Sequence, residues 1–151
     1  NVVFLRTFSK FYGLAGLRVG FGFCGKNFKK MIGYDNRFLG FSRVLEDVAV
    51  AALDSKAFYK KIAKKICRDR DWFIKQVNLL KNFRAYASSG NFVFVETSLQ
   101  EFRHFQNRQK NTKVIIWKWL DQKSFRVSIG RTAHLKSFLV SLQKIDSSMK
   151  F

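Results

Sequence analysis

The most informative stretch of this chain is Arg6-Thr7-Phe8-Ser9-Lys10-Phe11-Tyr12-Gly13-Leu14-Ala15-Gly16-Leu17-Arg18-Val19-Gly20. It follows an apolar run, Val2 to Leu5, which is typical of a buried strand. The glycines allow the backbone to turn tightly and to approach a ligand closely. The sequence therefore predicts a strand, a tight loop and a second strand within Leu17 to Phe23.

The loop carries side chains that suit an anion. The hydroxyls of Thr7 and Ser9 can donate hydrogen bonds to a phosphate, and the guanidinium of Arg18 offers a fork that matches two oxygens. Lys10 adds a primary amine of the kind that forms Schiff bases. The residues alone also permit a simpler interpretation, in which Lys10 and Arg18 are two of the 29 basic residues of the chain, exposed on a solvated loop.

This stretch resembles the segment around the cofactor lysine of the fold-type-I aminotransferases that use pyridoxal phosphate, and most closely that of the histidinol-phosphate aminotransferase family. The resemblance implies that Lys10 is the catalytic residue and binds pyridoxal 5'-phosphate covalently. It also implies that Thr7, Ser9 and Arg18 bind the phosphate of the cofactor.

A second similarity to the same family lies in Ser124-Phe125-Arg126-Val127-Ser128-Ile129-Gly130. It implies that Arg126 holds the carboxylate or phosphate of the substrate. Without the first similarity, an outward-facing arginine on an alternating strand would be the simpler interpretation.

The resemblance covers nearly the whole chain and implies an α/β fold with an α+β part. Residues 1–41 would be the C-terminal remnant of the large cofactor-binding domain, and residues 42–151 the small C-terminal α+β domain. Groups that contact the cofactor ring in this family precede the lysine, so we expect a C-terminal fragment that is inactive by itself. We also expect its first strands, without their neighbours, to be exposed.

Beyond Ser42 the hydrophobic pattern predicts the order helix, strand, strand, helix, strand, strand, helix. Apolar residues from Val44 to Leu80 recur every three, four or seven positions, which predicts one long amphipathic helix or two in tandem. Its other face, from Lys60 to Arg70, is mostly basic. The remaining predictions are a surface helix over Lys26 to Tyr34, a linker over Asp35 to Gly40, strands over Phe83 to Ala87, Asn91 to Glu96, Val114 to Trp119 and Ser124 to Ile129, a helix over Ser98 to Gln109, and a closing helix from Leu135 to Ile145.

The composition is unusually basic, with a net charge of +19, and it contains no proline. Such a charge suits a polyanionic partner, because clustered cations release counterions from phosphates. The family, however, has acidic residues and prolines at many positions where this chain has Lys, Phe or Leu. Accumulated C-to-T and G-to-A substitutions would account for both features, so we expect no nucleic-acid partner.

Metal and membrane sites are not expected from this sequence. His104 and His134 have no acidic or Cys neighbour at ligand spacing, and Cys24 and Cys67 form no CxxC pair. No apolar run approaches the roughly 18 residues of a membrane span, and no signal peptide precedes the first strand. A cytoplasmic protein is therefore expected.

The resemblance implies a function in histidine biosynthesis. The expected reaction is the transfer of an amino group between histidinol phosphate (imidazole-acetol phosphate) and glutamate or 2-oxoglutarate, in a homodimer. Its partners would be an amino-acid or amino-alcohol phosphate and a 2-oxo acid. Related amino-acid aminotransferases and a phosphothreonine decarboxylase share these motifs and remain alternatives, as does a basic module that binds nucleic acid.

Overall fold

A computed structural model describes residues 2–26, 42–98, 117–121 and 123–148. The strands are β1 (Val3–Thr7), β2 (Gly20–Cys24), β3 (Phe83–Ala85), β4 (Phe92–Thr97), β5 (Trp117–Trp119) and β6 (Ser124–Ser128). The helices are α1 (Arg43–Asp54), α2 (Lys56–Val77) and α3 (Thr132–Ser148), and a short 3-10 turn spans Ala15–Leu17. The chain forms two compact units, residues 1–63 and residues 64–151.

The first unit contains the predicted strand, loop and strand. β1 and β2 pair in antiparallel register from Val3↔Cys24 to Thr7↔Gly20. Their apolar side chains are mostly exposed, including Phe4 and Leu5. The apolar run is therefore a strand without a covering layer among the described residues, as expected for this chain.

Gly20 makes the β1–β2 pairing possible. A Cβ atom at this position would lie 2.8 Å from the carbonyl oxygen of Arg6, closer than side-chain carbons normally approach backbone oxygen. Any larger residue would force the two strands apart at the end that carries the loop.

The helical pattern after Ser42 resolves into two helices in tandem. α1 ends at Ser55, whose backbone leaves the helical region with ψ of 38°. Its N–H and its hydroxyl both donate to the carbonyl oxygen of Ala51, at 3.1 and 2.8 Å. The prediction that Val44 belongs to the apolar seam is wrong, since its side chain is 69% exposed. Leu45 packs instead against the small cluster of Phe8, Val19 and Ala52, so the apolar stripe begins one residue later.

The second unit is built on an antiparallel sheet with strand order β3-β4-β6-β5. Residues of α2, the sheet and α3 form its core: Phe73, Val77, Phe83, Ala85, Val93, Val95, Phe125, Val127, Ile129, Leu135, Phe138, Leu139 and Leu142. The strands predicted near 83–87, 91–96 and 124–129 and the closing helix are confirmed.

Some expectations concern residues outside the described ranges. The surface helix after Lys26, the linker over 35–40, the helix over 99–109 and the first part of the strand over 114–119 are among them. The domain boundary at residues 41 and 42 stays a prediction, because the two compact units divide inside α2.

One side chain closes the edge of the four-stranded sheet. The amide Nδ2 of Asn78 donates to the carbonyl oxygen of Ala85 at 3.0 Å, and the N–H of Ala85 donates to Oδ1 of Asn78 at 2.7 Å. Because β3 is a terminal strand in the order β3-β4-β6-β5, this pair satisfies backbone groups that no strand of the sheet reaches.

Candidate active site

The two predicted phosphate-binding hydroxyls lie together at the end of β1. The hydroxyl of Thr7 donates to Oγ of Ser9 at 2.9 Å, and the backbone N–H of Ser9 donates to Oγ1 of Thr7 at 3.0 Å. This side-chain turn follows directly from a Thr-x-Ser spacing after a strand, since threonine hydroxyls readily bond the backbone two residues ahead. It fixes both oxygens in one small polar cluster.

Lys10 begins the next turn of the loop. Its carbonyl oxygen accepts a hydrogen bond from the N–H of Gly13 at 3.1 Å, so Phe11 and Tyr12 are the central residues of the turn. Gly13 has φ of 71°, a conformation that glycine adopts without the steric penalty of a Cβ atom. The Lys10 side chain is exposed and accessible to a ligand.

Arg18 has a strained backbone conformation, with φ of 55° and ψ of 38°. Within the described ranges it is the one non-glycine residue with positive φ, and left-handed geometry typically costs about 1–2 kcal/mol for an L-residue. Its Nη1 donates to the carbonyl oxygen of Ala15 at 3.2 Å. Strain of this kind is a pointer to function, because the surrounding structure must maintain it.

The backbones of Ser9 and Arg18 lie at the same end of the hairpin because β1 and β2 are paired. The N–H of Phe8 donates to the carbonyl oxygen of Val19 at 3.1 Å, which continues the ladder beyond Thr7 and Gly20. Ser9 and Arg18 are the next residues on the two sides of that bond. Two hydroxyls and a guanidinium on one end of a hairpin suit an anion with several oxygens, so the residues fit the phosphate of the expected cofactor.

Tyr59, in the first turns of α2, is a contact that sequence reasoning missed. Its hydroxyl donates to the carbonyl oxygen of Tyr12 at 3.2 Å, and the two ring centroids lie 4.9 Å apart in an edge-on arrangement. The pattern had placed Tyr59 in an apolar seam. The available signal was its hydroxyl, since a half-buried tyrosine usually finds a hydrogen-bond partner.

Arg126 lies in the second unit, on the exposed face of β6. The neighbouring Phe125 and Val127 are buried, which agrees with an alternating strand. The guanidinium carbon of Arg126 lies 5.3 Å from the centre of the Phe92 ring. The contact is of the cation–π type, in which a guanidinium lies over the face of an aromatic ring.

The basic face of α2 is not uniformly solvated. Asp69 is buried, and it accepts hydrogen bonds from Lys65 and, at 2.8 Å, from the hydroxyl of Thr132. Burial raises the pKa of Asp69, but the bonds from Lys65 and Thr132 and the nearby positive charges outweigh it, so the pKa is lowered overall. Asp69 is thus buried within the mostly basic face, and the hydroxyl of Thr132 at the start of α3 completes a polar network with it and Lys65.

The side chain of Arg70, on the same helix, is also mostly shielded from solvent. Its side chain is 12% exposed, with Nε 3.0 Å from Oδ1 of Asp71, and its Nη1 donates to the carbonyl oxygen of Gly90 at 3.3 Å. Lys60, Lys61 and Lys64 remain exposed.

In the parts of the chain that the structure covers, no helix combines the length and apolar character needed to cross a membrane.

Known proteins resemble this chain along its whole length. Residues 1–142 match the family described as aminotransferase class I and II. Histidinol-phosphate aminotransferase of Methanocaldococcus jannaschii is 30% identical, over 97% of this chain and 41% of that enzyme. The chain thus spans about two fifths of this curated relative.

Solved structures share the fold. Histidinol-phosphate aminotransferase from Sinorhizobium meliloti, in complex with pyridoxal-5'-phosphate, superposes with a TM-score of 0.74 at 24% identity, over 99% of this chain and 42% of that one. L-threonine-O-3-phosphate decarboxylase from Porphyromonas gingivalis gives a TM-score of 0.69 at 23% identity, over 94% of this chain and 46% of that one. The fold is therefore that of part of a fold-type-I enzyme.

Proposed function

We propose that this chain carries the lysine and the phosphate site of a pyridoxal-phosphate-dependent aminotransferase. The basis is that the chain belongs to the aminotransferase class I and II family. The proposed reaction moves an amino group between histidinol phosphate (imidazole-acetol phosphate) and glutamate or 2-oxoglutarate. The observation that supports this proposal is the arrangement at the end of the β1–β2 hairpin. There the bonded hydroxyls of Thr7 and Ser9 directly precede the turn that begins at Lys10, and Arg18 has a strained backbone conformation.

Each residue of the hairpin end has a separate role in this proposal. Thr7 and Ser9 donate hydrogen bonds to phosphate oxygens, and Arg18 neutralises part of the phosphate charge. Lys10 would hold pyridoxal 5'-phosphate through its amine. Once the substrate amine has displaced it, the free Lys10 amine would take a proton from the substrate carbon and return it, as general base and acid. The cofactor, when bound, supplies the electron sink that the side chains lack.

Arg126 is proposed to bind the anionic end of the substrate. Its exposed position on β6 and its contact with the Phe92 ring support this role. A guanidinium binds a carboxylate or phosphate with two parallel hydrogen bonds, which orients the substrate as well as attracting it.

We further propose the assembly and location that the family implies. The complete enzyme would be a cytoplasmic homodimer, with residues 1–41 in its large domain and residues 42–151 in its small domain. Analytical ultracentrifugation of the complete enzyme tests the dimer directly.

Trapping of the cofactor tests the role of Lys10. A chimera in which the Methanocaldococcus relative supplies the part that this chain does not cover is incubated with pyridoxal phosphate and reduced with borohydride. Peptide mapping should place the label on Lys10, and Lys10→Ala should abolish it, because the proposal assigns the covalent bond to this amine. A label on another lysine in the unsubstituted chimera contradicts the proposal.

Two substitutions of Arg18 separate its charge from its backbone. Loss of a charged hydrogen-bond partner costs about 1.5–3 kcal/mol, so Arg18→Ala should weaken cofactor binding roughly ten- to a hundredfold while Lys10 remains reactive. Arg18→Gly should weaken binding equally and also relieve the left-handed strain, which raises the stability of the hairpin. Equal affinity of either variant and the parent for the cofactor would remove Arg18 from the phosphate site.

Because the L-threonine-O-3-phosphate decarboxylase has a similar fold, decarboxylation of a phosphorylated amino acid is the second candidate reaction. The chimera is supplied with histidinol phosphate and 2-oxoglutarate in one assay, and with L-threonine O-3-phosphate in another. Glutamate formation in the first supports the aminotransferase, whereas carbon dioxide release in the second alone supports the decarboxylase. A nucleic-acid module would instead show binding that weakens steeply with salt.

A further inference from the structure

The turn that begins at Lys10 is closed by the Gly13 N–H, and the loop around it is closed by the N–H of Leu14, which donates to the carbonyl oxygen of Phe8 at 3.0 Å. The N–H of Gly13 donates to the carbonyl oxygen of Lys10 at 3.1 Å. The carbonyl of Tyr12 belongs to the same planar peptide group and points away from that bond. Whatever holds the Tyr12 carbonyl therefore also sets the direction of the Gly13 N–H.

Tyr59 holds that carbonyl from the other side. Its hydroxyl donates to the Tyr12 oxygen at 3.2 Å. Its ring lies edge-on to the Tyr12 ring, with centroids 4.9 Å apart, and 5.7 Å from the centroid of the Phe11 ring. One side chain thus contacts both central residues of the turn and bonds the peptide that closes it.

Packing alone does not account for this arrangement. The small core of the first unit already includes Phe8, Val19 and Ala52, and a phenylalanine at position 59 would fill the same ring volume. The hydroxyl adds the directional element, because a hydrogen bond orients a peptide plane where a ring contact does not. We propose that Tyr59 is a positioning residue that orients the Lys10 turn for covalent attachment of the cofactor.

The inference rests on the proposed function, and the same chimera tests it with Tyr59→Phe. Within the described residues, the hydrogen bond and the ring contacts of Tyr59 are to Tyr12, Phe11 and Phe58 rather than to Thr7, Ser9 or Arg18, so the phosphate site should be unaffected. We expect an unchanged half-saturating concentration of pyridoxal phosphate, and a rate of borohydride-trapped attachment at Lys10 that falls about three- to tenfold, the effect of one lost hydrogen bond.

Two further variants complete the test. Tyr59→Leu removes the ring contacts as well and should slow attachment further. Phe58→Leu is the matched control, since Phe58 is 58% exposed and its ring contacts Tyr59 rather than the turn. It should react within about twofold of the parent, as expected for a surface substitution. If Tyr59→Leu does not fold, Tyr59→Phe decides the outcome.

Failure of the proposed function and failure of the Tyr59 positioning role give different results. If the unsubstituted chimera is not labelled at Lys10, the proposed function fails. If it is labelled and Tyr59→Phe attaches the cofactor at the parent rate, the positioning role is overturned while the function stands. A Tyr59→Phe variant with weaker half-saturation and an unchanged maximal rate also overturns the inference, because the defect then lies in the phosphate site.

Discussion

The two compact units, residues 1–63 and residues 64–151, differ in how far they bury their apolar side chains. The first unit buries Phe8, Val19 and Ala52 and leaves the rings of Phe4 and Phe23 largely exposed. The second unit assembles a continuous core from α2, α3 and three strands of its sheet. Burial of apolar area is the dominant stabilising term in folding, so the second unit holds most of the stability that the described residues provide.

The chemistry is distributed in the opposite way. Four of the five predicted site residues, Thr7, Ser9, Lys10 and Arg18, lie in the weakly covered unit, and Arg126 lies in the well-packed one. A binding loop can be built on a hairpin because hydrogen bonds and glycines define its geometry. Its stability must then come from elsewhere, which is a common property of functional segments.

The largest expected effect tests the second core. Phe125 is fully buried, with its ring centroid 6.5 Å from that of Phe83 and 6.2 Å from that of Phe138. Phe125→Ala should lower the free energy of unfolding by about 3–5 kcal/mol, because it removes buried area and leaves a cavity. Phe4→Ala, at a 58% exposed position, should change it by less than about 0.5 kcal/mol. Denaturant unfolding measures both, and equal losses would break the comparison.

The next effect concerns the buried carboxylate of the second unit. Lys65→Glu replaces a donor to Asp69 and Thr132 with a like charge, so the free energy of unfolding should fall by about 2–3 kcal/mol. Lys61→Glu is the control on the same helix, since Lys61 is exposed; it should cost less than about 0.5 kcal/mol. Similar losses for the two variants would mean that the polar network contributes nothing.

A glycine pair probes the first unit. Gly20→Ala places a methyl group against the Arg6 carbonyl and should cost about 2 kcal/mol, together with weaker cofactor attachment. Gly16→Ala meets nothing within 4 Å and should be neutral or slightly stabilising. Thermal melting of the two variants shows the difference, and a stable Gly20→Ala variant would show that the hairpin tolerates a wider spacing.

Acid should weaken the second unit, with no effect near neutral pH. Burial raises the pKa of Asp146, but hydrogen bonds from the backbone of Lys81 and Asn82 and from the Asn82 side chain outweigh it and lower the pKa. The pKa of Asp69 is lowered as well. Carboxyls with lowered pKa stabilise the fold above their unfolded value of about 3.9, and this stability is lost as the pH falls through the folded pKa. Unfolding free energy should therefore be level between about pH 5 and 7 and fall below about pH 4, and Asp69→Asn should flatten that fall.

The sequence was most informative where local pattern determines structure. Alternation identified the strands around Val93 and Val127, and the spacing of Thr7, Ser9 and Gly13 identified a loop that the structure forms as a tight turn. These features depend on residues close together in the chain, so their pattern is visible in one dimension.

Long-range contacts were not predictable in the same way. Asp69 reads as one more charge on a basic helix, because its partner Thr132 lies 63 positions away. Tyr59 reads as an apolar seam residue, because its bond to Tyr12 crosses 47 positions. The strain at Arg18 was also invisible, since backbone torsions of non-glycine residues follow from the surrounding fold rather than from residue type.

The bond pair between Asn78 and Ala85 has a consequence for self-association. An exposed strand edge is a template on which another chain can add a strand. The side-chain amide of Asn78 imitates one peptide group of such an incoming strand, so the rim of the sheet at Ala85 already has its donor and acceptor occupied. An incoming strand would therefore have to displace the Asn78 side chain before it could pair with Ala85.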